Sequence, residues 1–373
     1  MDNILPTDFN VNKYLFDKLY INRIEDEDFF TKNCYPIVYI LYDLNTSIAY
    51  VGESTTALKR MLNHLSHPEK SKLKYVYIIS SSNFNKSATL DIESNLIKYM
   101  VADGTFNLLN STAGADHNYY QKEKYYEVFQ NVWENLKLQK VVTKNILEID
   151  NSDLFKYSPY KSLTPDQHQA VQKYLKILLN RDNSTVFVEG SAGTGKTILA
   201  VYLIKLLLTN FDIDDYEDLE GDSLQELELV QRIQNNKKEL SIGFVVPMVS
   251  LRKTIKEVFK NVKGLEANMV LGSSDVFKKQ YDILIIDEAH RLKRRFGITN
   301  YGSHDSNNKK LGLGNEGTEL DWIMANSNHQ LFFYDQAQSI RPSDIDKEVF
   351  FKIKEQKEKE KIKLTSQLRS KGG

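Results

Sequence analysis

The sequence predicts an α/β protein of two modules, a small mixed α/β module followed by a domain built on a parallel sheet. Three observations carry this. Between residues 35 and 102 the apolar pattern runs strand, strand, helix, strand, helix. From Leu163 onward apolar strands alternate with helical patterns, as a parallel sheet requires. One of those strands runs into "GSAGTGKT", a glycine-rich turn that opens an apolar helix. The 373 residues suffice for two or three domains. We place an N-terminal extension at 1–34, the small module at 35–115, a helical linker at 116–160 and the parallel-sheet domain at 161–373.

In the small module "YPIVYILYD" and "TSIAYVG" read as two strands joined by a turn at Asn45-Thr46. The helix in "YVGESTTALKRMLNHL" follows. Leu58, Met61, Leu62 and Leu65 form its apolar stripe, with Arg60 and His64 four apart on the other side. "KYVYIIS" is a third strand and Ser87 to Ala102 a second helix. The extension carries one or two short helices. In the linker Tyr125, Phe129, Trp133 and Leu136 recur at helical spacing, as expected of a helix docked between domains.

The second module reads helix, strand "TVFVEG", long helix, strand "SIGFVVP", helix, strand "YDILIIDEAH", strand "HQLFFYD". Two breaks interrupt it. Residues 211–240 form an acidic surface insertion, helical in its second half, and residues 297–318, rich in Gly, Asn and Ser, are expected as a mobile loop.

Composition narrows the function classes. With 41% hydrophobic and 27% charged residues the chain has the make-up of a soluble globular protein. A net charge of −1 supplies no global basic field, so a nucleic-acid site would have to be a local patch. The single cysteine, Cys34, excludes an internal disulfide framework and suits a reducing cytoplasm. The N-terminus lacks a basic n-region, and the most apolar run, "ILAVYLIKLLL", is too short to span a bilayer and contains Lys205. We expect a cytoplasmic protein with no membrane partner.

"GSAGTGKT" supplies Gly190, Gly193 and Gly195, whose backbone N–H groups can curl round phosphates at a helix N-terminus. Lys196 would reach the β/γ-phosphates and the Thr197 hydroxyl would take Mg²⁺. "DILIIDEAH" places Asp287 and Glu288 at the end of a buried strand, where α/β sheets bind ligands. Asp287 would hold Mg²⁺ through water and Glu288 would polarise the attacking water. The domain is therefore expected to bind ATP with Mg²⁺.

Beyond these residues, "LTPDQHQAV", the phosphate loop, "DEAH", "FFYDQAQSIRP" and "LTSQLRS" resemble, in order, the Q-motif and motifs I to IV of superfamily-one helicases. Among these the chain resembles the bacterial Schlafen-group, helicase-like proteins, from about Leu163 onward. The resemblance implies a RecA-like P-loop NTPase domain in which Gln167 reads the adenine, Gln338 senses the γ-phosphate and Arg369 acts as an arginine finger. It also implies a second domain of the same kind, for which too few residues follow Arg369. The chain thus reads as a C-terminally truncated helicase unit that binds ATP and turns it over poorly.

In the small module Glu93 falls in the middle of the apolar stripe formed by Leu90, Leu96, Ile97, Met100 and Val101. A carboxylate aimed at a core costs several kcal/mol unless a metal, cation or donor meets it. Arg60 is one candidate partner. Together with "IVY" (37–39), "YVG" (50–52), Arg60 eight residues after Gly52, His64 one turn later, "IESNLIK" and Asn107 in "FNLLN", this resembles the GIY-YIG nuclease family. Ile37 replaces the first glycine of the signature, and Glu53 stands where some members have a lysine. The resemblance implies one Mg²⁺ or Mn²⁺ held by Glu93 and water, with Arg60 neutralising charge in the transition state. Tyr39 or Tyr50 would accept the water's proton, His64 would assist, and Asn107 would order the site.

These expectations add up to a metal-dependent endonuclease fused to an ATP-binding, helicase-type motor that acts on DNA, with phage defence or DNA repair as its setting. RNA in place of DNA stays open, as does a second copy of the chain or an accessory protein as partner. The rival reading is a nucleotide-dependent nucleic-acid sensor whose nuclease fold is inactive.

Overall fold

A computed structural model describes residues 9–110, 119–160, 163–210, 222–237, 239–338, 341–356 and 361–366. Short segments apart, the chain divides into two compact units, residues 1–162 and residues 163–373.

The first unit is a five-stranded sheet in the order β1-β4-β2-β3-β5. Its strands are β1 (Asn10–Leu15), β2 (Ile37–Asp43), β3 (Ile48–Ser54), β4 (Tyr75–Ser80) and β5 (Asn107–Leu108). The β1–β4, β4–β2 and β2–β3 pairs are antiparallel, and β3–β5 is parallel. The helices of this unit are α1 (Lys18–Glu27), α2 (Phe29–Lys32), α3 (Ala57–His64), α4 (Lys86–Asp103), α5 (Lys122–Leu138), α6 (Ile146–Asp150) and α7 (Asp153–Lys156). The strand–strand–helix–strand–helix order expected from sequence is present at β2, β3, α3, β4 and α4.

Two expectations need correction here. Residues 10–15 are not part of a purely helical extension: they form an edge strand of the sheet, and Ile21 and Ile24 of α1 join the core with Tyr39, Tyr50 and Met61. Edge pairing is a long-range event that a weak local pattern such as NVNKYL does not announce. The helix carrying Phe129 and Trp133 does not serve as a separate linker. Its aromatic face packs on Tyr99 of α4, at ring separations of 5.0 and 5.7 Å, while Phe155 of α7 meets the same ring at 4.7 Å. Helix α4, capped by the Asn85 side chain at one end and by Gly104 (φ 80°) at the other, is consequently buried around most of its circumference.

The second unit is a six-stranded, all-parallel sheet in the order β11-β6-β10-β9-β7-β8. Its strands are β6 (Ser184–Gly190), β7 (Ile242–Val245), β8 (Val270–Leu271), β9 (Tyr281–Ile286), β10 (Ser327–Tyr334) and β11 (Lys361–Leu364). The helices are α8 (Pro165–Asn180), α9 (Lys196–Leu208), α10 (Asp222–Asn236), α11 (Val249–Lys260), α12 (Tyr301–Lys310), α13 (Glu319–Ala325) and α14 (Lys347–Gln356). The core includes Phe187 stacked on Phe332, with Ile286, Trp322, Tyr334 and Phe350 around them.

Residues 297–318, expected as a mobile loop, contain α12 instead. This helix has almost no apolar face, which is why hydrophobic periodicity misses it. It is anchored by side-chain hydrogen bonds. Buried Asn308 donates from Nδ2 to the carbonyls of Gly314 (2.9 Å) and Gly317 (3.1 Å) and accepts from Trp322 Nε1 (2.7 Å). The acidic insertion is helical from Asp222, as expected, but it is not purely superficial. Glu226 of α10 is fully buried, taking hydrogen bonds from His168 Nδ1 (2.7 Å) on α8 and Tyr202 Oη (2.6 Å) on α9. Residues 211–221 lie outside the described residues.

Replacing Asn308 by Ala strands two carbonyls and an indole N–H in the interior, at about 2–4 kcal/mol. Urea unfolding of Asn308→Ala, followed at the tryptophans, should show a lower midpoint with an unchanged slope.

Candidate functional site

In the second unit the site forms where three neighbouring strands end. Register pairs Glu189 of β6 with Tyr334 of β10, and Phe332 of β10 with Ile286 of β9. Gly190, the last residue of β6, and Asp335 and Asp287, the first residues beyond β10 and β9, therefore line one edge, the edge at which parallel sheets bind ligands. The turn from Gly190 to Thr197 needs its glycines. A Cβ on Gly190 would lie 2.5 Å from Thr194 Oγ1, and Gly193 and Gly195 have φ of 91° and 76°.

Lys196 is nearly buried, its Nζ folded onto the carbonyls of Gly190 (2.8 Å) and Ser191 (3.1 Å), with Asp335 Oδ2 at 3.8 Å. Thr197 Oγ1 donates to Asp287 Oδ2 at 2.7 Å, joining the start of α9 to the end of β9. Burial, reinforced by the neighbouring Glu288 charge, pushes the Asp287 carboxyl up to about 7. Such a carboxylate is stabilised by a divalent cation, and the hydroxyl beside it is the second oxygen donor that Mg²⁺ prefers. Glycine cradle, lysine, hydroxyl and acid together fit a nucleoside triphosphate with its metal.

Glu288 sits at φ 47°, in the left-handed region, which turns it away from the strand direction. Its Oε2 is 3.1 Å from His290 Nε2, which also contacts Gln338 Oε1 at 2.8 Å. Gln338 Nε2 in turn donates to Asp335 Oδ2 at 3.3 Å. A chain of polar contacts thus runs from Glu288 through His290, Gln338 and Asp335 to Lys196. Burial lowers the basicity of His290, the nearby Glu288 charge opposing the effect.

Gln167 is buried, and both ends of its amide are engaged. Its Oε1 accepts from the Thr164 N–H (3.0 Å) and its Nε2 donates to the Thr194 carbonyl (2.9 Å), so it ties the α8 cap to the phosphate loop. Beside it, Asp166 Oδ2 accepts from the backbone N–H groups of Thr365 (2.7 Å) and Ser366 (3.0 Å). Burial alone would raise this carboxyl; the hydrogen bonds from Thr164, Ser366 and Thr365 outweigh it and hold Asp166 well below the usual carboxylate range. Arg369 lies outside the described residues.

In the first unit β2 and β3 pair Tyr39 with Gly52 and Leu41 with Tyr50, which puts both tyrosines on one sheet face. Tyr39 lies directly over Gly52, where an added Cβ would meet its Cζ and Oη at 2.5 Å. Tyr39 Oη is 2.9 Å from His64 Nε2, and the Tyr50 ring meets His64 edge-on at 5.1 Å. His64 is completely buried and Leu62 is partly exposed. The expected stripe is corrected at two positions: Leu58, Met61 and Leu65 pack on the core as expected, but Leu62 is exposed and His64 turns inward, because the polar ring has a buried hydroxyl to meet. Arg60, one turn before His64, is half-buried, and Glu93 is buried on α4.

Glu53, one residue beyond Gly52, points to the opposite face, where it pairs with Lys86 and accepts from Thr89 Oγ1 (3.0 Å). Asn107 is exposed on β5, level with Ile48. Asn110 sits instead at the level of the signature: its Oδ1 accepts from the Val51 N–H (3.0 Å) and its Nδ2 donates to the Val51 carbonyl (2.7 Å). Among the described residues no group of three or more His, Cys, Asp and Glu gathers as a metal cluster.

Three site residues were missed from sequence. Asp335 follows the apolar "LFFY" as Asp287 follows "ILII", and the same rule would have found it. His290 was in plain view as the last letter of "DEAH". Asn110 ends the very string that supplied Asn107.

The family model described as Schlafen group 3, DNA/RNA helicase domain, matches residues 183–373. No curated protein matches the chain. Among solved structures, domain III of the Thermotoga maritima replication initiation protein DnaA is 12% identical, over 56% of this chain and 66% of that one (TM-score 0.27). This chain thus spans just under two thirds of that structure. The DnaC helicase loader is 14% identical over 56% of this chain and 96% of its own (TM-score 0.28), and PCH-2 of C. elegans is 12% identical over 83% and 67% (TM-score 0.22).

Because the Asp287 carboxyl is held above its ordinary 3.8, the folded protein keeps a proton that the unfolded chain has lost between about pH 4 and about 7. Stability of the metal-free protein therefore falls as pH rises through that window. Asp287→Asn should remove this fall and gain on the order of 2–4 kcal/mol at pH 7.5 in EDTA, read from urea unfolding of both proteins across the window.

Proposed function

Since the chain belongs to the family of Schlafen group 3 DNA/RNA helicase domains, we propose that it is a nucleic-acid-directed, ATP-binding motor unit joined to a GIY-YIG-type endonuclease, with DNA as its substrate. The observation that carries the motor half is the Thr197–Asp287 hydrogen bond with Lys196 folded over the glycine turn. Bound ATP–Mg²⁺ supplies a phosphoanhydride for hydrolysis. Lys196 and the loop amides would hold its phosphates, Thr197 and Asp287 its metal, and Glu288 would orient the water. Gln338 would sense the γ-phosphate and Arg369 contact it, as the family resemblance implies. The contacts through His290 favour a Gln338 whose position answers to Glu288 and Asp335 together. Gln167 would read the adenine, as the family resemblance implies, by exchanging one of the two contacts through which its amide braces the loop.

The nuclease half is supported by the Tyr39, Tyr50 and His64 cluster packed over Gly52. A divalent cation held by Glu93, Mg²⁺ or Mn²⁺, would polarise the phosphodiester. Arg60, whose guanidinium matches phosphate geometry, would neutralise charge as the bond breaks. One of the two tyrosines would take the water's proton, and Tyr39 already shares a hydrogen bond with an imidazole. Asn110, rather than Asn107, would order the signature strand. Joining a cutter to an ATP-driven motor suits defence against phage or DNA repair, by analogy of architecture alone.

A second reading, a nucleic-acid sensor with an inactive nuclease fold, draws on Glu53, whose carboxylate is committed to Lys86 and Thr89. RNA is the alternative substrate.

Supercoiled plasmid and a matched RNA should be incubated with Mg²⁺ or Mn²⁺, with and without ATP. Wild type is expected to nick or linearise the plasmid, Glu93→Gln to lose at least 100-fold in rate, and Lys196→Ala to lose the effect of ATP (estimates from typical single-residue effects of ~3 kcal/mol). Binding without cutting under both metals would favour the sensor, and cutting confined to RNA would move the substrate assignment.

A further inference from the structure

The buried side chains of α12 are all polar: His304, Asn307 and Asn308. Asn308 bonds to Trp322 and to two carbonyls, and Asn307 accepts from Lys310 Nζ at 3.2 Å. His304 differs. It is 5% exposed, and its ring lies against Trp322 of α13 with centroids 4.7 Å apart. Among the described residues neither its Nδ1 nor its Nε2 has a hydrogen-bond partner.

An imidazole can be left in this way only while it is neutral. Neutral, it forgoes one donor and one acceptor. As an imidazolium it would bring a charge and two N–H donors to a place with no acceptor, at a far greater cost. The charges around it do not offset that cost. Asp305, next on α12, is bonded by both oxygens to Arg295 in the turn before the helix, at 2.5 and 2.9 Å. Lys309 and Lys310 at the end of α12 are exposed, the latter over the Phe277 ring at 4.9 Å. On α13, Asp321 is bonded to Thr318 and Glu319 to the Lys293 N–H. On the turn Ser273–Lys278, Asp275 is bonded to Lys278 and to the Gly272 N–H. Burial lowers the basicity of His304, with Asp305 opposing the effect and Arg295 adding to it.

Little else holds this helix. It is ten residues long, too short to persist alone in water, and it buries no aliphatic side chain of its own. Its docking therefore rests on Asn308 and on a ring contact that suits only an uncharged imidazole.

We infer that α12 is a pH-sensitive latch with His304 as its catch: with the ring neutral the helix lies on Trp322, and with the ring protonated it lets go and unwinds, uncovering the indole. The docked state has its full advantage above the imidazole's ordinary 6.5 and loses it as pH falls below that value. The latch lies in the stretch of chain that joins the strand ending before Asp287 to the strand ending before Asp335.

The test is hydrogen exchange of the full chain at pH 7.5 and pH 5.0, for wild type and His304→Phe. The phenylalanine keeps a ring against Trp322 that cannot ionise. Each amide is read as a protection factor, its rate set against the intrinsic rate at the same pH. In wild type, protection over Tyr301–Lys310 should fall at least tenfold at pH 5.0, while the amides of α9 change by less than threefold. One imidazole taken 1.5 pH units below its ordinary value can account for a fall of up to about 30-fold. In His304→Phe the fall should be under threefold. An α12 equally protected at both pH values overturns the latch, as does an equal fall in His304→Phe or a joint loss in α12 and α9. If His304→Phe fails to fold, the ring resonance of His304 in wild type decides. It should titrate together with the loss of α12 protection. A ring that titrates while α12 stays protected, or an α12 that opens while the ring stays neutral, overturns the latch equally.

Discussion

One hydrogen bond, from Thr197 Oγ1 to Asp287 Oδ2, organises the second unit. Its donor begins the helix that leaves the glycine turn, and its acceptor ends a strand two positions away in the sheet. The bond can form only if β6, β10 and β9 lie side by side and in register. That register also brings Asp335 to the same edge, within 3.8 Å of the Lys196 ammonium. The site is thus a consequence of strand order. Residues separated by about 90 and 140 positions in the chain become neighbours because their strands end at the same edge of the sheet, β9 two residues short of β10 (a placement that parallel pairing enforces).

The same dependence on register governs the first unit, with period two instead of strand ends. Pairing Tyr39 with Gly52 places both tyrosines on the face that α3 covers and sends Glu53 to the face that α4 covers. A slip of one residue would exchange the two sets. Gly52 is needed because the Tyr39 ring occupies the space above it, and no side chain fits there.

Buried charge is the other recurring constraint. Lys196, Asp287, Asp335, Lys70, Glu93 and Glu226 are all at most 7% exposed. Where partners are visible they are specific: two carbonyls and an acid for Lys196, a hydroxyl for Asp287, an imidazole and a phenol for Glu226. Glu226 deserves its place because it clamps α10 to both the helix that carries Gln167 and the helix that follows the phosphate loop. The Tyr202 phenol, buried and facing Glu226, is pushed well above its ordinary value and stays a donor to that carboxylate. The insertion is therefore mechanically continuous with the nucleotide site, through one fully buried acid.

The sequence by itself determined the parts whose physics is local. The glycine turn, the apolar strands that end in acids, and the strand–strand–helix–strand–helix order were all legible, because period and turn chemistry are written in consecutive residues. Tertiary structure decided what depends on distant partners. It made residues 10–15 an edge strand, stabilised α12 through Asn308 instead of through an apolar face, and turned His64 inward to meet Tyr39. It also tied Asn110 to the backbone of Val51 while leaving Asn107, three residues before it, exposed, and set Lys70 against Tyr50 from twenty residues away. The physical reason is common to these cases. A polar side chain carries no periodic signal of its own, so whether it faces water or a buried partner is fixed only when the partner's strand or helix has arrived.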